Sequence, residues 1–231
     1  LHVFIDSKDG GESTLSGVPG AAGTSGMAGL VFDSGMAPDF HLIARRETNN
    51  FMIDFAELGG NVDFYGDVFG GSDVGSGGTS AGSVNLSAID VAYNDSNVAG
   101  VGASASTAAD ADAARAVVSG FEVSVDLSDL DHVDGPIKVT AFITNGGASN
   151  YSNQWLGGLP NPYGNFSGNP DLSSITGAQF FSVWTESFSA EKPVASLDKP
   201  YFVDVADLDG DGDGDLLSGR FVSGDLLWYE N

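Results

Sequence analysis

Apolar and polar residues alternate with a period of two in a series of short segments. These are HVFID (2–6), FHLIAR (40–45), NNFMIDFAEL (49–58), NVDFYGDVF (61–69), SVNLSAIDVAY (83–93), FEVSVDL (121–127), IKVTAFIT (137–144) and QFFSVWTESF (179–188). Alternation of this kind marks strands with one face in a core and one in water. The connections between them are rich in Gly, Ser and Asn, as in GGSDVGSGGTSAGS (70–83). The pattern predicts an all-β fold, an antiparallel, jelly-roll-like β-sandwich. One stretch has helical character: TAADADAARAVVSG (107–120) is Ala-rich and offers Thr107 as an N-cap, enough for one or two turns or for a loop leading into FEVSVDL.

The organisation changes after residue 188. SAEKPVASLDKP carries two prolines and reads as a linker over 189–199, separating a sandwich domain (1–188) from a C-terminal piece (200–231). That piece reads strand, acidic loop, strand, turn, strand. It is too short to bury a core alone, so it predicts a calcium-loop β-hairpin appendage.

Composition narrows the classes of function. The chain has 231 residues, with 32 acidic side chains against 8 basic ones and a formal net charge of −24. Such a surface repels phosphate backbones and anionic lipid, which excludes nucleic acid as a partner and suits cations. There is no Cys, so disulfides, thiolate metal sites and Cys nucleophiles are excluded. No apolar run reaches the roughly 18 residues of a membrane span. The chain opens on Leu1 rather than Met, which fits removal of a signal peptide or a fragment.

The acidic loop, ADLDGDGDGDLLSG (206–219), places Asp207, Asp209, Asp211, Asp213 and Asp215 at alternate positions. Like charges this dense repel one another unless a cation holds them. Ca²⁺ takes about six to eight oxygens, and carboxylates at alternate positions of a Gly-rich turn can converge on it. Counted from Asp207, the loop fits the first half of the EF-hand rule, with Asp at 1, 3 and 5 and Gly212 at 6. The second half fails, since position 12 is Ser218 and the flanks have strand character. The expectation is a Ca²⁺ loop in a β context, with all five aspartates as metal ligands.

FVDVADLDGDGDGDLLSG followed by DLLWYEN resembles a single FG-GAP/VCBS-type repeat. That family's Asp-x-Asp-Gly-Asp-Gly-x-x-Asp pattern falls on Asp207, Asp209, Asp211 and Asp215. Gly214 departs from it, standing where the family has an apolar residue. The resemblance implies a calcium-binding, extracellular or cell-surface setting.

Upstream, the order HVFIDSKDGG, MAGLVFDSGMAPDFHLIAR, GFEVSVDLSDL, GPIKVTAFITNGG, YSNQWLGGLP resembles an exported bacterial, planctomycete-type β-sandwich domain. More loosely, it is similar to family 9 carbohydrate-binding and DOMON-like modules. These likenesses imply an exported binding module, with polysaccharide among its partners. Sugar binding needs exposed aromatic platforms beside polar groups. The stretch 145–166 holds both, which makes Tyr151, Gln154, Trp155 and Tyr163 candidate ligand-binding residues. The alternative is that Trp155 and Tyr163 only cover the sandwich edge. Trp184, in an alternating strand, is expected in the core.

A second cation site would need Asp6, Asp9, Asp33 and Asp39 to converge. Asp126, Asp129, Asp131 and Asp134 are explained by ordinary turn chemistry. Three histidines, His2, His41 and His132, have no metal-site spacing, and His41 is expected to be structural. Gly-rich stretches such as GGSDVGSGG lack the strand–loop–helix setting and the Lys of a phosphate loop. The expected function is therefore non-enzymatic: a calcium-binding module for surface or matrix adhesion. The alternatives are a structural subunit assembled with copies of itself by β-strand addition, and a carbohydrate-binding module.

Overall fold

The computed structural model describes residues 1–17, 26–96, 99, 107–133, 135–160, 164–184, 200–206, 215–220 and 226–229. The chain divides into two compact units, Leu1–Thr185 and Glu186–Asn231. The expected linker, 189–199, lies outside the described residues.

In the first unit the strands are β1 (His2–Asp6), β2 (Phe40–Glu47), β3 (Asn50–Glu57), β4 (Val62–Tyr65), β5 (Gly75–Gly78) and β6 (Asp90–Tyr93). They continue as β7 (Phe121–Ser124), β8 (Pro136–Thr144), β9 (Asn150–Trp155), β10 (Phe166–Ser167) and β11 (Phe181–Trp184). The helix α1 covers Ala108–Arg115. Its start is a reciprocal cap: Thr107 Oγ1 accepts from the Asp110 amide, and the Asp110 carboxylate accepts from the Thr107 amide.

Eight strands form one antiparallel sheet in the order β10-β9-β8-β1-β2-β3-β4, with β11 alongside the first half of β8. Strands β5-β6-β7 form a second sheet. The sheets pack as a sandwich, with Val3, Ile5, Leu42, Phe51, Ile53 and Phe55 of the large sheet against Ile89 and Val91, backed by Phe121 and Val123.

The opposite face of the large sheet is also covered. Phe4, Ile43, Ala56 and Phe142 lie under Leu15, Met27, Leu30, Phe32, Met36, Leu172 and Ile175, most of them in irregular chain. This double coverage explains why the first five residues of β2, Phe40–Ala44, are all buried although the sequence alternates. The polar residues of that alternation sit on the face under the irregular layer, where His2, His41 and Asp54 are buried.

Strand β5 reads GSGG, a sequence without strand propensity. It pairs with β6 where the chain must pass close to Val68 and Phe69. A Cβ on Gly77 would sit 2.4 Å from the Val68 carbonyl oxygen, so close approach and not propensity selects glycine there.

In the second unit β12 (Pro200–Ala206), β13 (Asp215–Arg220) and β14 (Leu226–Tyr229) form an antiparallel three-stranded sheet.

Candidate functional site

The acidic loop connects β12 to β13. Ala206 and Asp215 are cross-strand partners, so the register brings the two ends of the 207–214 connection together. Strands on both flanks of the loop agree with the β context read from the sequence. Asp207, Asp209, Asp211 and Asp213 lie outside the described residues, and Asp215 is the first residue of β13. Beyond the hairpin, Leu217 pairs across to Trp228, completing a sheet whose Val205 and Trp228 are exposed.

Several acids of the first unit are engaged by the fold. Asp63, on β4, accepts from the amides of Ser83, Val84 and Asn85 at 2.8, 2.7 and 3.0 Å, and from Ser83 Oγ at 2.7 Å. Burial works to raise its pKa, but these donors outweigh burial and hold it down to about 2. Asp39 accepts from the Ser7 and Lys8 amides, Asp6 from the Ala37 amide and Lys138, and Asp33 from the Gly35 amide. These acids thus bond to separate amides of the turns around them. Among the described residues no three His, Cys, Asp or Glu side chains group as a metal site.

Turn chemistry accounts for Asp126 as the sequence implied, whereas Asp129 bonds an amide outside its own turn. Asp126 caps the short 3₁₀ turn Leu127–Leu130 through Ser128, and Asp129 accepts from the Ser87 amide at 2.9 Å. Asp131 closes that turn in the left-handed region and bonds Lys8. Asp134 lies outside the described residues.

Two members of the platform expected over 145–166, Tyr151 and Trp155, are not on the surface. Tyr151 and Trp155 occupy β9 and are buried in the core under the irregular layer. The Trp155 ring stacks on Phe142 at 4.0 Å, and its Nε1–H donates to the Ser152 carbonyl at 2.8 Å. The Tyr151 hydroxyl donates to Asn169, and burial raises its pKa to about 12. Gln154 is exposed, and Tyr163 lies outside the described residues. The reason for the correction is the pairing with β8: across a register irregularity, Tyr151 stands opposite Thr144 and Trp155 opposite Phe142, and both rings turn into the core.

Trp184 reverses the other way. It is 70% exposed on β11, beside Phe181 at 55% and Val183 at 51%. Among the described residues β11 pairs only with β8, leaving its outer edge open.

The structure adds a polar chain that strand-by-strand reading missed. His2 Nδ1 lies 3.0 Å from His41 Nε2, and His2 Nε2 lies 2.8 Å from Thr144 Oγ1. Thr144 Oγ1 donates in turn to the Asn145 carbonyl at 3.0 Å. The His41 ring lies flat on Phe4, with centroids 3.9 Å apart and planes 6° from parallel. Both histidines are buried, and His41 Nδ1 has no hydrogen-bond partner. The only hint in the sequence is that each histidine interrupts an apolar strand.

Compared with known proteins, the chain matches no family model, no curated protein and no solved structure. Among the described residues no helix is long and apolar enough to cross a membrane.

Proposed function

We propose that this chain is a non-enzymatic, calcium-binding β-sandwich module that works in binding or adhesion at a bacterial cell surface or in its matrix. The observation that carries the reading is the pairing of Ala206 with Asp215, which sets the Asp-rich connection between two hydrogen-bonded strands. Five aspartates at alternate positions of the sequence repel one another, and a divalent cation relieves that repulsion. The net charge of −24 favours such a cation over any anionic partner. The non-enzymatic part of the reading is supported by the histidines. Two are buried against each other, and His132 Nδ1 is bonded to the Ser7 carbonyl at 3.0 Å.

Calorimetric titration of Ca²⁺ into chelator-stripped protein tests the proposal. About one equivalent bound by the wild type and lost in Asp209→Ala/Asp211→Ala is the expected outcome. No binding, or binding that survives the double substitution, overturns it.

A second reading, a subunit assembled by β-strand addition to copies of itself, is favoured by β11. Its four residues, Phe-Ser-Val-Trp, include no charge and no proline, the usual protections of an edge strand.

A further inference from the structure

The His2–His41 pair accepts only one proton count. With both rings neutral, His41 Nε2–H donates to His2 Nδ1, His2 Nε2–H donates to Thr144 Oγ1, and Thr144 donates to the Asn145 carbonyl. Every N–H in the chain then has an acceptor, and only the lone pair of His41 Nδ1 is unmet. A third proton cannot enter between the rings, because a single proton already fills that 3.0 Å gap. It must therefore leave His41 Nδ1 as an N–H donor, buried and without an acceptor, beside a buried positive charge.

Among the described residues no carboxylate is bonded to either ring. On the strands around the pair, Asp6 is bonded to Lys138, and Asp54 and Glu47 are bonded to Arg45. In the covering layer, the carboxylates of Glu12, Asp33 and Asp171 accept from nearby amides, and Tyr151 is held neutral by burial.

The two faces of the large sheet differ in what covers them. Opposite the histidines lies the hydrogen-bonded sheet β5-β6-β7. The histidine face is covered by residues 13–17, 26–36 and 168–176, which bond among themselves through isolated bridges and loop hydrogen bonds such as Leu15 to Leu30, and meet the large sheet through apolar contacts to Phe4 and Phe142 and the Tyr151–Asn169 hydrogen bond. Coverage of this kind opens before a paired sheet does.

We infer that His2 and His41 form an acid-sensitive latch: a proton entering the pair releases the irregular layer from the large sheet while the β5-β6-β7 face stays closed. The direction follows from linkage. Burial lowers His2 to about 3 and His41 well below its ordinary value. The unfolded or opened chain takes up protons near pH 6.5, so the latch weakens as pH falls from about 6.5 toward 3. Asp39 and Asp54, whose pKa values burial raises, act in the opposite sense and stabilise the fold on acidification.

Hydrogen exchange of the full chain at pH 7.5 and 5.0, corrected for intrinsic rates, tests this. Protection over 26–36 and 168–176 is expected to fall at least tenfold, with β6 and β7 unchanged within twofold. In His2→Gln/His41→Gln the difference between the two pH values should disappear. Equal loss on both faces, or no loss on either, overturns the latch. Should that variant not fold, ¹⁵N spectra of the wild-type histidine rings decide. Neutral rings at pH 7, protonating only as the layer opens, are expected. Protonation of either ring near pH 6.5 with protection intact overturns the inference.

Discussion

The indole of Trp155 stacks on the ring of Phe142 at 4.0 Å, across the junction of β9 and β8. The contact places Trp155 among the residues that hold the first unit together. Trp155→Ala should therefore destabilise the protein by about 3–5 kcal/mol, the usual range for removing a large buried aromatic. Trp155→Phe should lose less, because the stack on Phe142 can persist. Denaturant midpoints measure both. A loss below about 1 kcal/mol for the alanine variant would return the ring to the surface.

Asp63 organises the chain around Ser83–Asn85 with a single carboxylate. Its pKa, about 2, lies below the ordinary aspartate value of about 3.9. The sign is that of a depressed acid: its contribution is complete above about pH 4 and is lost as pH falls through 2. Asp63→Asn keeps the shape but loses the charge that gathers three amides. It should lower stability at pH 7 by about 1–3 kcal/mol, the range for hydrogen bonds to charged groups. The gap between wild type and variant should close between pH 4 and 2. A gap of constant size across that window would show that the charge is immaterial.

Each of the eight alternating segments read from the sequence contains a strand, which fills most of 2–6, 40–45, 49–58 and 137–144 and only four described residues of each of 61–69, 83–93, 121–127 and 179–188. Their alternation comes from backbone geometry and survives whatever packs above. Elements selected by their neighbours were not legible. β5 is a glycine run held in place by Val68 and Phe69. β9 lies in a stretch whose Asn, Tyr and Trp residues also suit a sugar-binding loop. Trp184 shows the limit of alternation itself, which marks faces but not which faces are covered. The His2–His41 contact depends on the β1–β2 register, which sets His2 opposite Ile43 and His41 opposite Phe4, and no single strand encodes it. The acidic loop is the reverse case: its chemistry is written wholly in local spacing, and the structure adds the strands on either side.

Gly157 follows β9 in a left-handed conformation, with φ of 99°. A Cβ there would sit 2.3 Å from the Phe180 backbone nitrogen and 2.5 Å from the Gln179 carbonyl carbon. Both neighbours are backbone leading into β11, so side-chain rotation cannot relieve the clash. Gly157→Ala should therefore destabilise by more than the roughly 1 kcal/mol typical of a point substitution. Thermal unfolding would check this, and an unchanged midpoint would mean that the β11 entry can move aside.

Val183 stands opposite Ile137 on β11, with half its surface in water and no described strand beyond it. A lysine at this position keeps its stem on the sheet and puts a charge on the open edge, a common protection against strand addition. Val183→Lys should change the stability of the monomer by no more than about 0.5 kcal/mol, as at other exposed positions. If copies of the chain associate through β11, sedimentation of the wild type should depend on concentration, and that dependence should disappear in the variant. A wild type that stays monomeric throughout removes strand addition at this edge. A stability loss well above 1 kcal/mol would instead show that something in the chain covers Val183.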